Sequence, residues 1–388
     1  MGFSVQRVPR IAVVGAGIGG MALAIALARR GLEPVVFEQS RRFARVGAGI
    51  NLTANAVKVL DGLGIGELLR RSGFRPTSRL SRLWNTGEET SHLQLGDAGE
   101  ARYGAPQLTV HRADLLSAME EAMPHGVVRF GKKLVGLRQE TEGVTLGFSD
   151  GTQEAFDVAV GADGIHSAVR EALFGVGEPR FTGKVAFRSI VPVESLPGMD
   201  LTPATKWWGP DSSRQIFTFL ISGGKELFVF ATVLEQGEAS ESWSLQGTKD
   251  ELLQAYEGFH PEALDILRQC NVILKTAMYA REPLPQWSDG CATLLGDACH
   301  AMLPFMAQGA AMGLEDAAVL ARCLGAVSEE GAAKSLRRYE ATRRERASRI
   351  QVASSQNDWL RSDTNADWVY GYDAWTTPLA SCTDDAKP

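Results

Sequence analysis

The pattern of apolar and polar positions changes character several times along the 388 residues. Residues 10–15 (RIAVVG) form a short apolar run closed by glycine, which predicts a buried strand. Residues 19–31 are rich in alanine and leucine and end at Gly31, predicting a helix, and residues 34–39 (PVVFEQ) predict a second strand. In that order they make a β-α-β unit with parallel strands. The glycine-rich stretch RVGAGIN leads into a helix from about Asn55, and Ser81 to Tyr103 reads as irregular and polar. Residues 107–123 predict a short strand, a turn at His111 and Arg112, and a helix. Apolar residues alternate on both sides of Asp150-Gly151, which predicts a hairpin across residues 143–161.

Residues 181–234 are different. They carry alternating aromatic runs (AFRSIVPV, TKWWGP, RQIFTFLIS, KELFVFATV) that predict an antiparallel sheet. The α/β pattern returns at ATLLGDACH, residues 292–300, followed by a long helix at about 309–326 and a charged one at about 332–360. The segment YEATRRERASRIQ reads as a solvated face whose arginines are available for a subunit contact.

Composition narrows the function. With 44% hydrophobic and 22% charged residues the chain has the balance of a globular protein, and a net charge of −6 argues against nucleic acid or an anionic membrane as partner. Five cysteines, an odd number without a CxxC pair, argue against a disulfide framework or zinc site and suit a reducing cytoplasm. The few histidines lack metal-ligand spacing, so no metal is expected. Arg7 and Arg10 before the apolar stretch Ile11–Ala28 imitate a targeting signal or a membrane span, but Gly15, Gly17, Gly19 and Gly20 are spaced for a turn between strand and helix.

Three motifs carry chemistry. Gly15-x-Gly17-x-x-Gly20 directly follows the first strand, where glycine permits a tight turn and close approach to a pyrophosphate, and the helix N-terminus offers free N–H groups. Glu38 ends the next strand, placed to accept from ribose hydroxyls. The second motif, Gly161-Ala-Asp163-Gly164-Ile-His166-Ser167-x-x-Arg170, enters a helix. Asp163 either meets ligand hydroxyls or, with Ser167, caps that helix, and Arg170 is a phosphate candidate. The third runs from Gly296-Asp297 through His300 and Pro304 to Gln308-Gly309-Ala310, then Glu315-Asp316. Asp297 sits at the end of a strand, where open sheets bind ligands, and the glycine-rich run opens a helix suited to negative charge. His300 either faces substrate or flavin, or supports them from behind. His166 is read as structural.

GAGIGG…E, GADGIHSAVR and GDACHAMLPFMAQGA…EDA, in that order, resemble the class A flavoprotein monooxygenases of the para-hydroxybenzoate hydroxylase fold. With FEQ…GAGI, PFMAQGA and WVYGYD, the chain looks closest to the salicylate hydroxylase and 6-hydroxynicotinate 3-monooxygenase branch. The resemblance implies an α/β fold: a Rossmann-like FAD-binding domain, an inserted β-rich substrate domain and C-terminal helices. The boundaries read as 1–180 for the first part of the FAD domain, with a smaller substrate-domain excursion near 75–106, then 181–285 for the substrate domain, then 286–388 for the second part and terminal helices.

It implies FAD as cofactor, NADH or NADPH as co-substrate, and O2 attack through a C4a-hydroperoxide on a hydroxylated aromatic or N-heteroaromatic acid, with possible loss of CO2. It also implies a cytoplasmic enzyme acting as monomer or homodimer. The FAD contacts it suggests are Gly15, Gly17, Gly20, Glu38, Asp163, Gly296, Asp297, Gly309 and Ala310, with Arg112 near the ribityl-phosphate region and Arg45 and Gly47–Asn51, including Gly49, beside the flavin ring. Pro304 should border the flavin. Asn51 stands where this branch tends to carry histidine, which leaves His300 as the best remaining titratable group. Gln215, Phe217 and Phe219 alternate onto one strand face and should line the substrate. Ala307 stands where glycine is more usual. A non-oxygenating flavin reductase, or a nucleotide-binding protein without catalysis, are the rival readings.

Overall fold

A computed structural model describes residues 8–43, 48–175, 177–235, 245–362 and 364–381. Strand β1 (Arg10–Val14), helix α1 (Ile18–Ala28) and strand β2 (Glu33–Glu38) form the expected parallel unit, with Ile11 opposite Pro34 and Val13 opposite Val36. The strand Val158–Gly161 pairs in parallel on the other side of β1. Parallel strands Ala292–Leu294 and Val128–Phe130 extend the sheet in the two directions, and the short antiparallel strand Ser288–Asp289 ends it. Segments before residue 162 and after residue 287 therefore share one six-stranded sheet.

Helix α1 is apolar on every side, and Gly20 to Leu27 are all buried. Such a helix belongs inside a protein. At 11 residues it is about 16 Å long, half a bilayer core, and no described helix is long and apolar enough to cross a membrane. Against α1 lies the helix Gly309–Leu324, and the two approach through glycines. A Cβ at Gly313 would lie 3.7 Å from the Cα of Gly19 and 3.8 Å from that of Gly296.

The second sheet has eight strands and contains the aromatic runs: Arg180–Pro192, Ala204–Trp208, Gln215–Ile221, Glu226–Leu234 and Leu274–Ala280, with Leu245–Gln246 at one edge. Its other edge corrects the sequence reading. The stretch expected to be irregular holds strands Ser78–Leu83 and Glu89–Gln94 and a helix at Asp97–Tyr103, and the first of these strands pairs in parallel with Ala204–Trp208. One face of the sheet, with Trp207, Ile216, Leu220 and Val229, packs on helices Lys249–Ala255 and Pro261–Arg268 through Leu252, Tyr256, Ile266 and Leu267. The other face turns toward the nucleotide-binding part, where Phe230 and Ala186 meet Leu303 and Phe305.

The charged C-terminal helix, Ala332–Gln356, is not a solvated face throughout. Arg343 is 0% exposed and bridges two carboxylates of the neighbouring helix, lying 2.7 Å from Glu315 and 2.8 Å from Asp316, and Arg346 reaches Glu315 at 2.9 Å. Two of the arginines offered for a subunit contact are thus committed to the interior.

Candidate active site

The site lies between the two sheets, and its floor begins at the glycine turn. Gly15 has φ +102°, and a Cβ there would come within 2.4 Å of the Ala162 carbonyl oxygen, so the turn demands glycine. The first turn of α1 has no side-chain cap, and the space beside Gly17 is open. Its N–H groups are therefore available to an anion. The Glu38 carboxylate accepts from Ala16 N–H at 3.0 Å and Ser40 N–H at 2.8 Å. These bonds hold it at the end of β2, half-exposed, with lone pairs left for hydroxyl donors.

Asp297 opens the short helix after Gly296. It is exposed to solvent yet densely surrounded by protein, as a group lining a deep crevice would be. Burial pushes its carboxyl up, and the charge of His300 opposes this. Pro304 is exposed nearby, and Gly309 and Ala310 form the uncapped N-terminus of the next helix. Ala307 adopts φ +56°, a left-handed conformation that explains why glycine is usual at this position.

Asp163 takes the plainer of its two readings. Its carboxylate accepts from the Ser167 hydroxyl and from the N–H groups of Ala168 and Val169, at 2.8 and 3.2 Å, and so caps its own helix. Burial raises its carboxyl despite these bonds. Arg112 begins the helix Arg112–Ala122, and its N–H donates to the Ala48 carbonyl. Burial lowers the Arg112 guanidinium and that of Arg188, on which Arg112 also acts as a like charge. Arg45 and Gly47 lie outside the described residues.

His300 is turned inward, contrary to the expectation of a base facing the substrate. It is 1% exposed, its Nε2 lies 2.6 Å from Asp316 Oδ2, and its ring rests on Trp287 with centroids 5.4 Å apart. Asp316 also accepts from Gly296 N–H, so His300 steadies the turn that carries Asp297. Cys299, His300 and Asp316 lie close enough to suggest a metal. Burial and the carboxylates of Asp316 and Asp297 push the thiol well up, however, and Asp316 is engaged by Arg343. The cluster is a hydrogen-bonded network.

The same network reaches the substrate side. Asn55 donates to Gln308 at 2.9 Å and to Glu315 at 2.7 Å, and Gln308 donates to Thr53 at 2.8 Å. These bonds tie the helix after Asn51 to the glycine-rich helix start. Asn51 lies on the short strand Gly49–Leu52, on the same side as Gly49, whose Cα abuts the Phe228 ring. It is 6% exposed, and neither amide atom has a hydrogen-bond partner. Gln107, one residue before the strand paired with it, is also buried with both amide atoms unpaired.

Gln215, Phe217 and Phe219 share the sheet face turned to this strand, opposite Thr232, Phe230 and Phe228. Gln215 is buried with its Oε1 unpaired. Buried polar groups are nearly always paired, so several unpaired ones around an aromatic wall mark the place of a ligand. The open glycine turn, the unpaired Asp297 and this wall fit a long cofactor with a flat ring and a small aromatic substrate. Sequence reasoning missed Phe228, Phe230, Arg79, Lys206 and Arg188. Strand alternation would have found all but Arg79, whose strand was not recognised. A separate groove of about 560 Å³ lies on the opposite face of the sheet, where Arg82 is already paired with Glu262 and Glu89.

A family described as FAD binding domain matches residues 9–354. The chain is 40% identical to a 6-hydroxynicotinate 3-monooxygenase of Bordetella bronchiseptica, over 96% of this chain and 98% of that protein. It is 39% identical to another of that name from Pseudomonas fluorescens, over 96% and 97%. Among solved structures, a salicylate hydroxylase in complex with substrate superposes with a TM-score of 0.82 at 28% identity, covering 95% of this chain and 96% of that one.

Proposed function

This chain belongs to the FAD binding domain family and is an FAD-dependent, single-component aromatic monooxygenase, and from that premise we propose that its substrate is a hydroxylated aromatic or N-heteroaromatic acid of the 6-hydroxynicotinate kind. Likeness to the two 6-hydroxynicotinate 3-monooxygenases over 96% of the chain carries this reading. The aromatic wall with its unpaired buried amides supports it. Within the reading, oxygen enters at the carboxyl-bearing carbon, CO2 leaves, and the enzyme works in the cytoplasm as monomer or homodimer.

FAD, when bound, accepts electrons from NAD(P)H and activates O2 toward the ring. The chain's own residues do the rest. Gly15, Gly17, Gly20 and Glu38 hold the ADP half, and Gly296, Asp297, Gly309 and Ala310 hold the flavin half. Pro304 borders the ring. Phe217, Phe219, Phe228 and Phe230 keep water from the reacting carbon. Asn51 cannot take a proton near neutral pH, so its amide orients the substrate hydroxyl and a base other than a side chain at this position must accept the proton.

The test is a panel of hydroxylated benzene and pyridine carboxylic acids, followed by NADH and NADPH oxidation and by product analysis. At least one acid should raise oxidation and return hydroxylated product with release of CO2. If none is hydroxylated, the substrate reading is wrong. A product that keeps its carboxylate removes only the decarboxylative part.

A further inference from the structure

Among the described residues few cations are buried, and Arg343 shows how such a charge is compensated. It lies between the carboxylates of Glu315 and Asp316, and the half-buried Arg82 likewise has Glu262 and Glu89. Arg79 and Lys206, on the face of the large sheet turned to the nucleotide-binding part, have no described carboxylate in hydrogen-bond or ion-pair contact. Arg79 is 3% exposed, its guanidinium lies 4.9 Å from the centroid of Phe217, and its Nε has no hydrogen-bond partner. Lys206 is 2% exposed, donates to Asn357 Oδ1 at 3.1 Å, and lies 3.6 Å from the Trp208 ring and 5.7 Å from that of Phe305.

Strand register joins the two. Lys206 is opposite Phe217, and Ala204, two residues before it, is opposite Arg79. Both cations therefore flank one ring of the substrate wall, beside the loop that follows Pro304. Burial lowers both groups, and Arg79 and Arg361 lower Lys206 further. Asp358 alone acts in the other direction on Lys206, and Tyr370 on Arg79. Two desolvated cations with so little compensation are unfavourable unless an anion joins them.

We propose that Arg79 and Lys206 form a subsite for the carboxylate of the substrate, so that the enzyme selects rings bearing an anionic substituent. The inference rests on the aromatic-acid reading above and assigns the residues that enforce it. The Nζ of Lys206 and the guanidinium of Arg79 donate to the carboxylate oxygens, while the Phe217 ring lies along the substrate.

The test uses the full-length FAD-loaded enzyme and measures dissociation constants from the change in flavin absorbance. The probes are 6-hydroxynicotinate with its carboxamide, and salicylate with its carboxamide. Wild type should prefer an acid over its amide. In Lys206→Met and Arg79→Met the acid should bind about 10- to 100-fold more weakly, the loss of a charge-assisted hydrogen bond, while the amide changes little. Lys206→Arg, which keeps the charge, should keep the preference. Without ligand, Lys206→Met should melt at or above the wild-type temperature, since an unpaired buried charge has been removed. Methionine variants that keep the wild-type preference overturn the subsite, and so does a Lys206→Met protein that melts lower or fails to fold. If no aromatic acid binds or reacts with wild type, it is the substrate reading that fails.

Discussion

Arg343→Met tests whether the buried charge network organises the site. The substitution keeps an unbranched chain of similar length but withdraws the guanidinium that faces two fully buried carboxylates. The two are left unequally placed. Glu315 retains Arg346 at 2.9 Å and the Asn55 amide at 2.7 Å, whereas Asp316 retains His300 at 2.6 Å and Gly296 N–H at 3.1 Å. Removing one partner from a buried pair costs about 3–5 kcal/mol. The surviving contacts argue for the lower end, roughly a 4 °C fall in melting temperature for a chain of this size.

The pH dependence has a definite sign. Burial alone would raise both carboxyls, but His300 and Arg343 hold Asp316 below its ordinary range, and Arg343 and Arg346 do the same for Glu315. Groups with depressed folded values stabilise the protein above their unfolded pKa of about 4 and lose that contribution as pH falls through the folded value. Without Arg343 the folded values rise, so acid destabilisation should begin at higher pH than in wild type. Melts followed by circular dichroism between pH 4 and 8 would measure both effects. A variant within about 1 kcal/mol of wild type at pH 7, with an unchanged acid limb, would refute the reasoning.

Ala307→Gly should stabilise the protein by about 1 kcal/mol, because an alanine at φ +56° carries the left-handed penalty that glycine avoids; a lower melting temperature would count against strain at this turn. Glu38→Arg should weaken FAD binding about 10- to 100-fold, the equivalent of one charge-assisted hydrogen bond, and equilibrium dialysis showing wild-type affinity would take Glu38 out of the cofactor site. His300→Ala should lower stability by about 1–3 kcal/mol, as expected when a buried partner loses its hydrogen bond, and should leave the pH–rate profile unshifted; loss of an ionisation from that profile would restore His300 as the base.

The glycine turn and Glu38 were legible because local backbone geometry forces the residue types: a φ of +102° against a neighbouring carbonyl admits only glycine. Alternation was equally readable in Gln215–Ile221, where aromatic side chains repeat on one face. It was not readable in Ser78–Leu83, a mostly polar strand near the sheet edge whose Arg79 and Ser81 resemble loop residues until the parallel partner Ala204–Trp208 is known. Nor could periodicity reveal Arg343. Within a segment dense in arginine, only the positions of Glu315 and Asp316 on another helix decide which side chain turns inward. His300 was misjudged for the same reason, since proximity in sequence to Asp297 says nothing of a carboxylate 16 residues further on.

The approach of Gly313 to Gly19 and Gly296 has a consequence for how the cofactor is held. Two helices that pack this closely, with room for little more than a Cβ between them, set the separation of their N-termini like the jaws of a caliper. The proposed phosphate end and the proposed ring end of the cofactor each rest on one jaw. Gly313→Val, whose branched side chain would meet the backbone of Gly19 and Gly296, should disturb that separation and weaken FAD binding, and wild-type affinity in the variant would refute this.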